Sequence, residues 1–209
     1  MAPAIVHCCT AHLHSRASRK DDRRGSMKTE ADNEYQPFPE KAGRNTRQQN
    51  VEVPLFVRLL GLARRQRILE VGCGRGIALP GLHRLCSPTL LVGLDVDGDA
   101  LADAATRART QAPTAVLVRG DVRAMPFADE LFDVAVDFGT CYHIARSDQG
   151  LREIERVLRT GGTFATETRL SQFISHPIRS RGRTLRFEAT RSLRIERHRG
   201  LWMSFSRRA

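Results

Sequence analysis

From Val51 onward the chain alternates short apolar runs with longer amphipathic ones. The first amphipathic stretch, "VEVPLFVRLLGL", places Leu55, Phe56, Leu59 and Leu60 on one helical face, with Asn50 available as an N-cap. Then come "RILEV", a helical pattern over 76–86, "TLLVGLD", a helix over 98–111, "AVLVR", "FDVAVDF", a helix over 148–159 and "TFATET". β-rich runs alternating with helices predict βαβ units, an α/β fold with a mostly parallel sheet and helices on both faces. After Thr168 the pattern changes to "TLRFEA", "SLRIER" and "LWMSFS", half-exposed strands that predict a C-terminal antiparallel hairpin at the sheet edge. No internal repeat is present.

Residues 1–50 are polar, carry Pro37 and Pro39 around Phe38, and have no apolar period. The chain of 209 residues, 41% hydrophobic, suits one core. The expected organisation is a disordered or partly ordered tail over 1–44 and one domain over 45–209. Residues 1–26 read as extraneous to the fold, with Met27 as the expected working start. Within the approach to the domain, "RNTRQQNVEVP", Arg44 to Pro54, is rich in side-chain donors. It is a candidate to lie across the open sheet edge, against a solvated linker. No apolar run nears the roughly 20 residues that span a bilayer, so no membrane partner and a cytoplasmic location are expected.

The five cysteines include no CxxC pair and predict reduced thiols. His7, Cys8, Cys9, His12 and His14 lie in a polar tail and make no defined metal site. The net charge of +11 is unevenly spread. Residues 51–174 hold 15 basic and 15 acidic side chains, residues 1–50 hold 9 and 6, and residues 175–209 hold 10 and 2. The Arg-rich C-terminus is open to two readings, a nucleic-acid footprint or a codon bias toward arginine.

The chemistry concentrates in "RILEVGCGRG", where Gly72, Gly74 and Gly76 follow a β-rich run at every second position. Parallel sheets bind ligands beyond the carboxyl ends of their strands, and the first β-α turn must bring bare backbone close to the ligand. A dinucleotide fingerprint would need glycine at Ile77, and no GK[ST] follows as in a phosphate-binding loop. The pattern is instead G-x-G-x-G, with Glu70 two residues before the first glycine.

These residues resemble the first motif of the class I S-adenosylmethionine-dependent methyltransferases, of the Rossmann-like group that includes quinone-biosynthesis and other small-molecule enzymes. Three further segments are similar to that family in the same order: "LVGLDVD", "GDVRAMPF" and "FDVAVDFGTCYHI". The resemblance covers about residues 45–168 closely. It implies S-adenosylmethionine as cofactor, with the backbone of Gly72, Cys73, Gly74 and Gly76 along its methionine part and Glu70 organising the amino group. It also implies Asp95 on the ribose hydroxyls with Val96 beside it, Asp121 on the adenine amino group, the Val122 amide on a ring nitrogen, and Asp137 at the strand end facing the methionine and the acceptor. Phe127 and Phe132 read as core rather than as adenine stackers.

The segment after Asp137, "DFGT", lacks the Asn/Asp-Pro-Pro-Tyr/Phe loop of amino-group methyltransferases acting on adenine or glutamine. Tyr142 and His143 fall where acceptor contacts lie in the family, and Glu167 is expected at the end of the fifth strand on the same rim. His143 is the candidate base for an acceptor that must lose a proton, against the reading of a histidine that starts the next helix. The linking stretch over 169–183 is short, which favours a small acceptor. The expected activity is methyl transfer to a small molecule by in-line displacement. The alternatives are an RNA or protein methyltransferase, for which interleaved Phe187, Trp202 and Phe205 would speak, and a non-catalytic cofactor-binding protein.

Overall fold

The computed structural model describes residues 5–7, 41–144, 146–167, 193–194 and 203–208. Its strands are β1 (Ile5–His7), β2 (Arg67–Val71), β3 (Leu90–Asp95), β4 (Ala115–Arg119), β5 (Phe132–Asp137), β6 (Leu158–Glu167), β7 (Leu193–Arg194) and β8 (Met203–Arg208). They form one sheet in the order β1-β4-β3-β2-β5-β6-β8-β7. From β1 to β6 all neighbours are parallel, and β8 pairs antiparallel with both β6 and β7. The expected parallel sheet with a C-terminal antiparallel hairpin is therefore present; "TLRFEA" and residues 169–183 lie outside the described residues.

The helices are α1 (Lys41–Arg47), α2 (Val53–Leu59), α3 (Leu79–Cys86), α4 (Gly98–Gln111), α5 (Thr140–His143) and α6 (Ser147–Val157). Strand side chains alternate between two cores. Ile68, Leu91, Leu117, Val134 and Val136 pack beneath α2, α3 and α4, with Val53, Phe56, Leu79, Leu82, Leu101 and Ala104. Leu69, Val71, Val92, Leu94 and Phe132 face α6, with Leu151, Ile154 and Val157. Fully burying an aliphatic side chain of this size is worth about 1.5–3 kcal/mol. Phe132 lies 5.2 Å from Phe127, edge to face, within the α6 core, as expected of core residues.

Several boundaries differ from the sequence expectation. Ile5–His7 pairs in parallel with Leu117–Arg119, so part of the stretch read as extraneous belongs to the sheet. Three residues are too few to show a period, but two β-branched residues suffice for an edge strand. Asn50 caps nothing. It is exposed within a π-helical turn, Gln48–Glu52, that joins α1 to α2, and helical structure already begins at Lys41. The buried residues of α2 are Val53 and Phe56, while Leu59 is exposed. α3 starts at Leu79 rather than 76, because Gly72, Gly74 and Gly76 take left-handed φ values of 63°, 50° and 70°. α6 ends at Val157, since Leu158 is extended and pairs with Phe132 of β5.

Candidate functional site

The ends of β2, β3, β4 and β5 open at one edge of the sheet, and the sequence motifs fall there. The turn after β2 has a separate reason for each glycine. A Cβ at Gly72 would sit 1.7 Å from Thr140 Oγ1, so this glycine admits Thr140, whose hydroxyl donates to the carbonyl of Val71 (3.2 Å). A Cβ at Gly76 would meet the Ala104 Cβ of α4 at 3.0 Å. Only Gly74 of the three faces open space, with nothing within 4 Å of the added Cβ. All three were expected to allow ligand approach and the positive φ of a tight turn; Gly72 and Gly76 also make room for Thr140 and Ala104. Cys73 is buried with its Sγ over Gly93, and burial, then the charge of Glu70, pushes its thiol well up.

The acids of the motifs lie at or next to these strand ends. Asp95 Oδ2 accepts from the Gly74 amide (2.7 Å) and Oδ1 from the Asp97 amide (2.9 Å). Burial raises its carboxyl above the ordinary range, opposed by the Asp97 and Gly74 amides. Asp97 caps α4 by accepting from Asp99 and Ala100, which fixes the course of the chain after Asp95. Val96 is 57% exposed, an apolar side chain left in the open beside Asp95. Glu70 is 1% exposed and its Oε2 has no hydrogen-bond partner. Burial pushes its carboxyl well up, with Asp95 and Asp137 adding to the shift and Arg44 opposing it.

Asp121 follows β4 and is clasped by Arg123, whose Nη2 donates to Oδ2 at 2.6 Å. This hydrogen bond, ahead of an opposing effect of burial, holds the Asp121 carboxyl below its ordinary value. Val122 sends its side chain into the α6 core. Asp137 is fully buried and turned inward. Its Oδ1 accepts from the amides of Gly139 (2.9 Å) and Thr140 (2.6 Å), and its Oδ2 from the Cys141 amide (3.1 Å) and the Thr166 hydroxyl (3.3 Å). His143 closes α5 at the rim, and Glu167 closes β6; their side chains are outside the described residues.

Three residues of the opening carry roles the sequence reading did not assign. Thr140 locks the loop after β5 onto the glycine turn, Arg123 holds Asp121, and Arg44 reaches in from α1 to donate to the Phe138 carbonyl (3.0 Å). Arg44 belongs to the donor-rich stretch expected over the sheet edge; Arg47, from the same stretch, pairs with Glu52 instead. Among the described residues no cluster of His, Cys, Asp and Glu could hold a metal ion, and no helix is long and apolar enough to cross a membrane.

Residues 69–166 match the family model described as "Methyltransferase domain". A stretch of 99 residues is 36% identical to a fatty-acid O-methyltransferase of Mycolicibacterium smegmatis, covering 47% of this chain and 35% of that protein. A stretch of 100 residues is 36% identical to a phthiotriol/phenolphthiotriol dimycocerosates methyltransferase of Mycobacterium leprae, covering 48% of this chain and 36% of that one. The matched stretch thus spans little more than a third of the length of these curated relatives. Among solved structures, the YcgJ protein of Bacillus subtilis superposes with a TM-score of 0.53 at 20% identity, over 59% of this chain and 56% of that one, and shares the fold. Residues 69–166 are thus similar to a methyltransferase domain, on a fold shared with that solved structure.

Proposed function

We propose that the protein is an S-adenosylmethionine-dependent methyltransferase that acts on a small molecule. The observation that carries this is the open space at Gly74, whose amide is held by Asp95, together with the buried, unpartnered Glu70 Oε2 at the end of the preceding strand. A buried carboxylate oxygen without a donor is costly unless a ligand supplies one, and an α-ammonium group does. Asp95 keeps further lone pairs for two ribose hydroxyls, and Val96 presents apolar surface at the adenine end. Asp121, fixed by Arg123, and the backbone at Val122 complete that end. Asp137 acts at one remove: it holds the Gly139–Cys141 turn against the glycine turn and so shapes the place of the methyl group.

S-adenosylmethionine supplies a methyl group already activated as a sulfonium, to be taken by a nucleophile placed in line with the carbon–sulfur bond. The chain's task is therefore to position the acceptor and exclude water. A base is needed only where the acceptor is protonated at neutral pH, and His143 at the end of α5 is the candidate for that proton. The names of the relatives favour an oxygen acceptor on an apolar small molecule. The cytoplasm is the proposed location, supported by free, buried thiols at Cys73, Cys86 and Cys141.

The test is incubation with methyl-labelled S-adenosylmethionine and cell extract, followed by fractionation. Label in the organic-soluble small-molecule fraction is the expected result. Label in RNA or protein would overturn the acceptor class, and binding without label in any fraction would make the protein a non-catalytic binder.

A further inference from the structure

The helical approach to the domain has a part in the site beyond covering it. α1, the π-helical turn and α2 follow one another without a break, a local irregularity often found at functional sites. Val53 and Phe56 anchor the segment in the core, with the Phe56 ring 4.6 Å from that of Phe138. This anchoring fixes Arg44. Its Nη2 donates to the Phe138 carbonyl at 3.0 Å, and its Nη1 to Oε1 of Gln48 at 2.9 Å. Gln48 is itself only 5% exposed. Phe138 follows Asp137, which pairs in register with Val71, so the guanidinium stands at the joint of β2 and β5 where the glycine turn begins.

Charge decides what that position is for. Asp95 and Asp137 raise the carboxyl of Glu70 further above the level set by burial, and the field of Arg44 opposes them there. A ligand with an α-amino-acid end brings an ammonium and a carboxylate. The ammonium suits the unpartnered Glu70 Oε2, and a carboxylate brought beside Asp95 is accommodated best next to a cation. We propose that Arg44 is the binding residue for the α-carboxylate of the bound amino-acid moiety, with Gln48 and the Phe138 carbonyl holding its guanidinium at the joint of β2 and β5. The planar fork of arginine matches a carboxylate in two parallel bonds, which lysine does not reproduce. This inference rests on the S-adenosylmethionine reading and names the part of that ligand that α1 recognises.

Its test is calorimetric titration of the full chain with S-adenosylmethionine, with decarboxylated S-adenosylmethionine, and with 5′-methylthioadenosine, which lacks the amino-acid end. Arg44→Ala should weaken S-adenosylmethionine by about 10- to 100-fold, the range of a lost charge-assisted bond. The same variant should leave the two ligands without a carboxylate within about threefold of the parent, the scatter expected between independent sites. Arg44→Lys should recover part of the loss. Equal weakening of all three ligands would show that Arg44 only supports the fold of α1, and unchanged S-adenosylmethionine affinity would remove it from the site; either overturns the proposal. A parent chain that binds none of the three would overturn the cofactor reading itself, and the proposal with it.

Discussion

The Gly74 amide donates to Asp95 Oδ2 at 2.7 Å, tying the turn after β2 to the end of β3. One carboxylate thus shapes the turn and faces the space that Gly74 leaves open. Asp95→Ala should weaken S-adenosylmethionine by roughly 2–4 kcal/mol, the loss expected for the proposed charge-assisted bonds to two hydroxyls together with a loosened turn. Calorimetry on the purified variant reads this directly, and equal affinity would remove Asp95 from the site.

Gly72 and Gly74 share a backbone conformation but not surroundings, and their variants should separate. Gly72→Val drives a side chain into Thr140 and should cost about 3 kcal/mol or more, from overpacking added to left-handed strain. Gly74→Val meets only open space and should cost about 1–2 kcal/mol of strain, yet lose the ligand. Thermal melts and binding together check the contrast.

Glu70 gives the free protein a pH signature. Its carboxyl is raised by burial, with Asp95 and Asp137 adding to the effect, so the native state holds a proton that the unfolded chain releases near its ordinary value of about 4.3. The stability Glu70 contributes is fully present below that value and is lost as pH rises through the folded-state value. Glu70→Gln should therefore match the parent in stability at about pH 4 and gain on it above, by at most about 1.4 kcal/mol per pH unit. Denaturant unfolding across pH measures this gain. A constant difference between the two proteins would mean that Glu70 titrates normally.

Asp137 should behave as a structural acid. Asp137→Ala leaves three amides and the Thr166 hydroxyl without their acceptor and should cost about 3–5 kcal/mol of stability. A variant that melts with the parent and loses only binding would instead make Asp137 a ligand contact.

The periods of 2 and 3.6 located the sheet and most of its helices because burial on two faces imposes them. α4 has the bounds expected from its period, and the structure adds Asp97 as its cap. Elements set by tertiary contact were not. β1 is too short for a period, and the π-helical turn has no apolar signature of its own. The start of α3 depends on where three positive φ values end. Motif order put Glu70, the glycines, Asp95 and Asp121 at neighbouring strand ends, and the sheet holds them there. It could not show that Gly72 makes room for Thr140, or that Asp137 turns inward to hold the loop beyond it. Those facts depend on which side chain occupies the neighbouring strand end. Arg44 was visible only as one donor in a donor-rich stretch, since its reach to Phe138 spans 94 residues of sequence.

Calorimetric titration of the parent chain and of Gly74→Val with S-adenosylmethionine and with NAD decides what the opening holds. The parent should bind S-adenosylmethionine and prefer it to NAD, and Gly74→Val, still folded, should bind neither. Tighter binding of NAD by the parent, or undiminished binding of S-adenosylmethionine by Gly74→Val, would contradict a cofactor site built around the open face of that glycine.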